Sequence, residues 1–255
     1  MSPPYKFTFS PSLSPLTLQT PQTLSSKSVP SIAHLMTSVL VLRQQNQPPS
    51  PPQILLLRRS PADSYGLKWE APGGSADLTD ASILSAAARE LFEESALGES
   101  HFHAVLGMTK QKAEELFSSS SSSTAAEEKR PDNWGIDPED EQAEDIEVHV
   151  SEDMKILFTT FHEPDGIWGK VNFLATVAED AQVEIDLEEH VEWGWFTEEE
   201  VRTGRALRSS VITETIFPDE ELSDGGKRVM EFTSQAVWGS LLEAFSVGRE
   251  LGIIV

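Results

Sequence analysis

The hydrophobic positions of the chain fall into short continuous runs and one helical stripe. Ile32–Leu42 (IAHLMTSVLVL) and Ile54–Leu57 (ILLL) are uninterrupted enough to predict buried strands. Between them, Gln44–Pro52 holds Pro48, Pro49, Pro51 and Pro52 and reads as a hairpin loop, because proline cannot donate to a ladder. The period then changes. From about Ala81 to Ser95, Ile83, Ala87 and Leu91, flanked by Leu84 and Ala88, form one apolar face of a helix, with Asp77–Asp80 as the loop before it. His101–Met108, Lys155–Phe161, Val171–Val177 and Glu192–Phe196 predict further strands, the second and third joined by the turn Glu163–Gly166. Thr197–Glu200 is a capping box opening a short helix. Gly226–Phe245 predicts a terminal amphipathic helix with Val229, Phe232, Ala236, Val237, Leu241 and Phe245 on its core side. The arrangement is strand-rich with interspersed helices and has no internal repeat.

Two segments lack such a pattern. Residues 1–30 are Ser-, Pro- and Thr-rich and almost uncharged, a composition that buries too little apolar surface to offset its ordering entropy. They are expected to be a flexible, disordered arm preceding a domain over residues 31–255. A second low-complexity stretch, at about 110–153, contains the homopolymer Ser118–Ser123. It also carries twelve acidic residues between Glu127 and Asp153, and is expected to be a partly disordered acidic insertion. Within it, Lys110–Phe117 has helix-forming composition.

Charge and composition narrow the chemistry. The net charge of the 255-residue chain is −23, and residues 1–62 hold only Lys6, Lys27, Arg43, Arg58 and Arg59 as charges. So acidic a surface argues against nucleic acid and anionic membranes as partners. No apolar run reaches the roughly 18 residues of a membrane helix. The absence of cysteine excludes disulfides and thiol nucleophiles. With no signal-peptide core, a cytoplasmic location is expected, the nucleus and mitochondrion remaining open.

The helix after Gly73–Gly74 carries Glu90, Glu93 and Glu94 at i, i+3 and i+4, on one face. Like charges at that spacing oppose helix formation by roughly 0.2–0.5 kcal/mol per pair, a cost that a divalent cation reverses. Hard cations such as Mg²⁺ take oxygen ligands and share them with substrate phosphates. In an acidic chain such a face is ordinarily just solvated. The preceding Gly-Gly turn, Arg89 and the flanking strands are what set this one apart.

These residues resemble the signature of the Nudix hydrolases, G-x5-E-x7-R-E-U-x-E-E-x-G-U, where U is aliphatic. Gly74 matches the first glycine and Arg89-Glu90-Leu91-Phe92-Glu93-Glu94 the R-E-U-x-E-E core, with Trp69–Gly73 as the usual approach. Ile54–Arg59 is similar to the family's strand ending in arginine, and Glu192–Val201 to its late strand-then-helix element. The resemblance spans about residues 32–110 and 154–245. It departs at three points: the loop from Gly74 to Arg89 is one residue longer, the mid-box glutamate is missing with Asp80 six residues after Gly74 as its candidate substitute, and Ala96 replaces the final glycine. In the family the mid-box glutamate pairs with the box arginine, so Asp80 is the candidate partner of Arg89. Gly98 is the candidate helix end.

The resemblance implies an α/β fold, an α/β/α sandwich around a mixed β-sheet. It also implies Mg²⁺- or Mn²⁺-dependent hydrolysis of a nucleoside diphosphate linked to another moiety, by metal-activated water. Glu90, Glu93 and Glu94 map onto the carboxylate cluster, Glu93 and Glu94 as ligands and Glu90 as ligand or base, with the Gly74 carbonyl completing the shell. Arg58, Arg59 and Lys170 are the candidate contacts to substrate phosphates, and Trp168 the candidate stacking surface for a base. An additional glutamate is expected outside the box, among Glu188, Glu189 and Glu192. Relatives dimerise, so a homodimer is open. The alternative is a catalytically weak Nudix-fold nucleotide-binding or regulatory module; retention of all three core glutamates favours the enzyme.

Overall fold

The structure, a computed structural model, describes residues 3–44, 50–108, 111–112, 115–116, 146–207, 210–213 and 228–255. The expected loop prolines Pro48 and Pro49, the serine homopolymer and the acidic stretch up to residue 145 lie outside these residues. The continuous apolar runs become the centre of one mixed sheet. It is built from β1 (Lys6–Phe9), β2 (His34–Arg43), β3 (Gln53–Arg59), β4 (Trp69–Glu70), β5 (Glu99–Leu106), β6 (Ile146–His149), β7 (Lys155–Glu163), β8 (Gly166–Val177), β9 (His190–Thr197) and, beyond it, β11 (Val211–Thr213). The strand order is β1-β5-β8-β2-β3-β9-β11, with β4 pairing β3 and the β6–β7 hairpin pairing β8. β1/β5 and β2/β8 are parallel, and the other neighbours along that order are antiparallel. A small separate ribbon joins β10 (Arg205–Ala206) to β12 (Arg228–Val229).

Both faces of the sheet are covered, which is why β2 and β3 read as unbroken apolar runs. Val39, Val41, Leu55 and Leu57 point into a core shared with α2 (Ile83–Ser95). Leu40, Leu42, Ile54 and Leu56 point into the opposite core, closed by Trp238, Leu241, Leu242 and Phe245 of α4 (Gln235–Glu250). α3 (Glu198–Thr203) carries the expected capping box, Thr197 with Glu200. Each fully buried Leu, Ile or Phe contributes roughly 1.5–3 kcal/mol. The fold is therefore the α/β/α sandwich the sequence implies. No helix among the described residues is long and apolar enough to cross a membrane.

Three features differ from expectation. The segment expected as a flexible arm is packed on the body instead. β1 pairs with β5, and a 3-10 helix (Pro11–Leu18) and α1 (Pro21–Lys27) follow. Leu13, Leu16 and Leu24 are buried in the α2-side core, and the Ile83 N–H donates to the Gln19 carbonyl at 2.8 Å. A few well-placed large side chains suffice to anchor a segment whose average composition is that of a linker. Likewise, the tail of the expected insertion is a strand, β6, with Ile146 and Val148 buried. The last helix starts later than its pattern suggests. Ser234 caps it by accepting from the Val237 N–H at 3.1 Å, while Val229 belongs to β12 and Phe232 bridges to Trp69.

Helix α2 ends at Ser95, not at Gly98. Ala96 itself adopts the left-handed conformation, φ 56°, and its N–H donates to Phe92 O at 2.8 Å. A Cβ costs roughly 1 kcal/mol in that region. Ala96→Gly is expected to raise stability by about 0.5–1 kcal/mol, read as a higher denaturant midpoint. Leu16→Ala is expected to lower it by about 2–4 kcal/mol in the same titration, whereas a loose arm would leave it unchanged.

Candidate active site

Strand β2 pairs with β3 only at its end, Leu42 with Ile54 and Arg43 with Gln53. This leaves its first half to the glycine loop. Val39 N donates to Pro72 O at 2.7 Å, Thr37 N to Gly74 O at 2.9 Å, and Ala76 N to Leu35 O at 2.8 Å. The loop lies so close that a Cβ on Gly73, φ 152°, would stand 2.1 Å from Thr37 O. A Cβ on Gly74 would stand 2.4 Å from Glu90 Oε2. Gly73 is fixed by backbone on β2, and Gly74 leaves the room that the Glu90 carboxylate occupies.

Helix α2 enters on a Ser82–Ser85 capping box and packs its apolar stripe, Ile83, Ala87 and Leu91, into the core. The opposite flank then meets the loop. Glu90 and Glu94 are buried there, with Glu94 Oε2 accepting from the Gly73 N–H at 2.7 Å. Glu93, one step around the helix, is exposed. Burial pushes the Glu90 carboxyl up to about 7, against the pull of the neighbouring Arg89. Burial, reinforced by Glu70, holds Glu94 well above the usual carboxylate range, although the Gly73 N–H opposes this. Desolvated carboxylates crowded in this way favour a cation at the site.

Arg89 is the hub of the charged face. It grips Asp80 with two donors, Nε to Oδ1 at 3.2 Å and Nη2 to Oδ2 at 3.0 Å. It also donates to Glu90 Oε1 and Glu93 Oε2, each at 2.7 Å, and to Ser75 O at 2.9 Å. Asp80 is buried and also accepts from the Asp77 N–H at 2.8 Å, closing the loop on itself. The shorter aspartate thus reaches the arginine through the extra loop residue.

The start of β9 completes the site from outside the box. Glu94, Glu189 and His190 each present a ligand atom within 4.8 Å of the others, a donor set of the kind that divalent metals use. Glu189 is exposed, its carboxyl raised by partial burial and by Asp186 and Asp63. His190 is buried, and desolvation lowers its imidazole to about 4, so the ring is neutral near pH 7. The sequence names Glu189 without aligning it. It gives no sign of His190, because only the fold brings residue 190 back to residue 94.

The candidate substrate contacts separate. Arg59 faces the site rim, paired with Glu70 and Asp63 and cross-strand from His190. Arg58 is buried. It donates to Leu67 O at 2.8 Å and to Glu192, which also accepts from Arg228, so both Arg58 and Glu192 hold β3, β9 and β12 together. Trp168 stacks on His34, ring centroids 4.4 Å apart, and on Phe161 at 5.9 Å, and its Nε1 donates to Asp165 at 2.9 Å. Lys170 stands two residues along β8 on the same face, opposite Met36, which itself bridges to Ser75 of the glycine loop. His101 and His103 bond to Thr8 and Thr176, away from this site.

Residues 33–147 match a family model described as the NUDIX domain. The chain is similar in structure to an Ap4A hydrolase of C. elegans, at 14% identity over 86% of this chain and 98% of that one, TM-score 0.45. It is also similar to the Nudix hydrolase RenU of M. smegmatis, at 14% identity over 84% and 86%, TM-score 0.44. A comparison with curated protein sequences finds no match. The matched segment contains Gly74 and the Arg89–Glu94 core, so this part of the chain is similar to the NUDIX domain. Asp80→Asn is expected to cost about 1–2 kcal/mol in denaturant unfolding, because Arg89 loses its two-point partner but keeps three others.

Proposed function

We propose that this chain is a Mg²⁺- or Mn²⁺-dependent pyrophosphohydrolase acting on a nucleoside diphosphate linked to a further moiety. The observation that carries the reading is the burial of Glu90 and Glu94 against the Gly73–Gly74 turn, where Glu94 accepts from the Gly73 N–H and Glu90 Oε2 lies against the Gly74 backbone. That donor set fits a hard cation. Gly74 O, Glu90 and Glu94 would hold it, and when bound it supplies charge neutralisation for the pyrophosphate and acidifies a water.

The chain's own residues divide the remaining work. Arg89 fixes the rotamers of Glu90 and Glu93 through its donors, so the face is set before substrate arrives. Glu93, exposed and with Arg89 on one oxygen, is the carboxylate that takes the proton of the attacking water. Arg59 and Lys170 are the cations facing the phosphates. The His34–Trp168 stack joins β2, the strand that the glycine loop bonds to, with its neighbour β8, and offers a surface for the base.

Phosphate release is measured across a panel of pyrophosphate compounds with each metal: ADP-ribose, NADH, CoA, oxidised deoxynucleotides and dinucleoside polyphosphates. Glu94→Gln is expected to lower kcat on the best of them by about 10³-fold or more with unfolding behaviour unchanged. Full activity in that variant would sink the mechanism. Nucleotide binding by the wild type without hydrolysis of any compound would indicate a binding module.

A further inference from the structure

The mouth of the site contains a histidine that the reaction as proposed above does not use. His190 is 2% exposed, and neither of its ring nitrogens has a hydrogen-bond partner. A buried polar atom left unpaired costs roughly 1–3 kcal/mol, so an orphaned imidazole signals a missing partner. Its surroundings say what that partner is. A ring nitrogen lies within 4.8 Å of carboxylate oxygens of both Glu94 and Glu189. Two ligands on opposite sides of an ion at about 2.1 Å are about 4.2 Å apart, so side-chain movements of about half an ångström close the set.

The position is held firmly. The His190 N–H donates to Asp186 O at 2.8 Å, and two residues on, Glu192 is locked between Arg58 and Arg228. The register of β9 against β3 shifts between the Arg58–Glu192 and Arg59–His190 pairs, so the strand turns His190 toward Glu94 while Glu192 faces Arg228.

We propose that His190 is a nitrogen ligand in a mixed nitrogen–oxygen cation site with Glu94 and Glu189, and that it biases the enzyme toward Mn²⁺ and Co²⁺ over Mg²⁺. Imidazole nitrogen is a better donor to first-row transition ions, Co²⁺ more than Mn²⁺, than to Mg²⁺, which takes oxygen. The proposal rests on the cation-dependent reading above and extends it to a residue outside the signature.

The test uses the 255-residue chain and needs no substrate. Mn²⁺ is bound to the wild type, and electron spin-echo envelope modulation reads whether a nitrogen nucleus is directly coupled to the ion, with ¹⁵N-histidine labelling to assign it. Calorimetry gives Mn²⁺ and Mg²⁺ affinities for wild type and for His190→Phe, which keeps a planar ring in the buried position. The expected result is histidine nitrogen coupling in the wild type, lost in the variant. Mn²⁺ affinity should fall about tenfold or more while Mg²⁺ affinity is unchanged. Bound Mn²⁺ with no nitrogen coupling in the wild type would overturn the histidine ligand and leave the cation-dependent reading standing. Failure of the wild type to bind either ion, with or without ADP-ribose, would overturn that reading itself. The wild-type spectrum decides the matter even if the variant does not fold.

Discussion

The site depends on one steric constraint, the wedging of a bare backbone between a strand and a helix. A side chain on Gly73 would collide with the Thr37 backbone, and one on Gly74 would displace the Glu90 carboxylate. That closeness does three things at once. It lets the loop take over the hydrogen bonds of β2 that β3 does not reach, and it aims the Gly73 N–H at Glu94. It also sets the Gly74 backbone against Glu90, beside the buried Glu94. The carboxylates are poor company for each other in a desolvated pocket, and Arg89 only partly balances them.

The electrostatics are arranged in rings around that wedge. The inner ring is Glu90, Glu94 and the edge of β9. The next is Arg89, gripped by Asp80, and Arg59, gripped by Glu70 and Asp63. Further out, Arg58, Glu192 and Arg228 form an ion cluster shut away from solvent that ties three strands. In a chain at −23 these few arginines are all partnered by carboxylates, so the protein uses its scarce positive charge to fix geometry.

The strands and α2 were legible because their residues repeat with a period set by burial. Ile83, Ala87 and Leu91 announce α2, and the unbroken apolar runs of β2 and β3 announce a sheet covered on both faces. The box glutamates were legible because their spacing and the Gly-Gly turn are local in sequence. Asp80 was legible as a partner for Arg89 for the same reason. What depends on distant contacts was not. Leu13, Leu16 and Leu24 sit in a Ser/Pro/Thr-rich background that hides their burial, and β1 exists only because β5 receives it. His190 is one histidine at a strand start until the fold returns it to Glu94. Arg58 and Arg59 are adjacent and alike in sequence; the pleat sends one to an internal ion cluster and the other to the rim.

The pairing of the sheet has a bearing on how the molecule is made. β1 lies beside β5, residue 6 opposite residue 99, and β2 lies beside β8, residue 34 opposite residue 168. A chain emerging from the ribosome exposes its most hydrophobic strand well before the parallel partner has been synthesised, with the long serine and acidic stretch between them. Pairings so distant must bear the loop-closure entropy before any contact rewards it. Folding is therefore slow and late, and the unpaired β2 edge is the part of the nascent chain most exposed to aggregation.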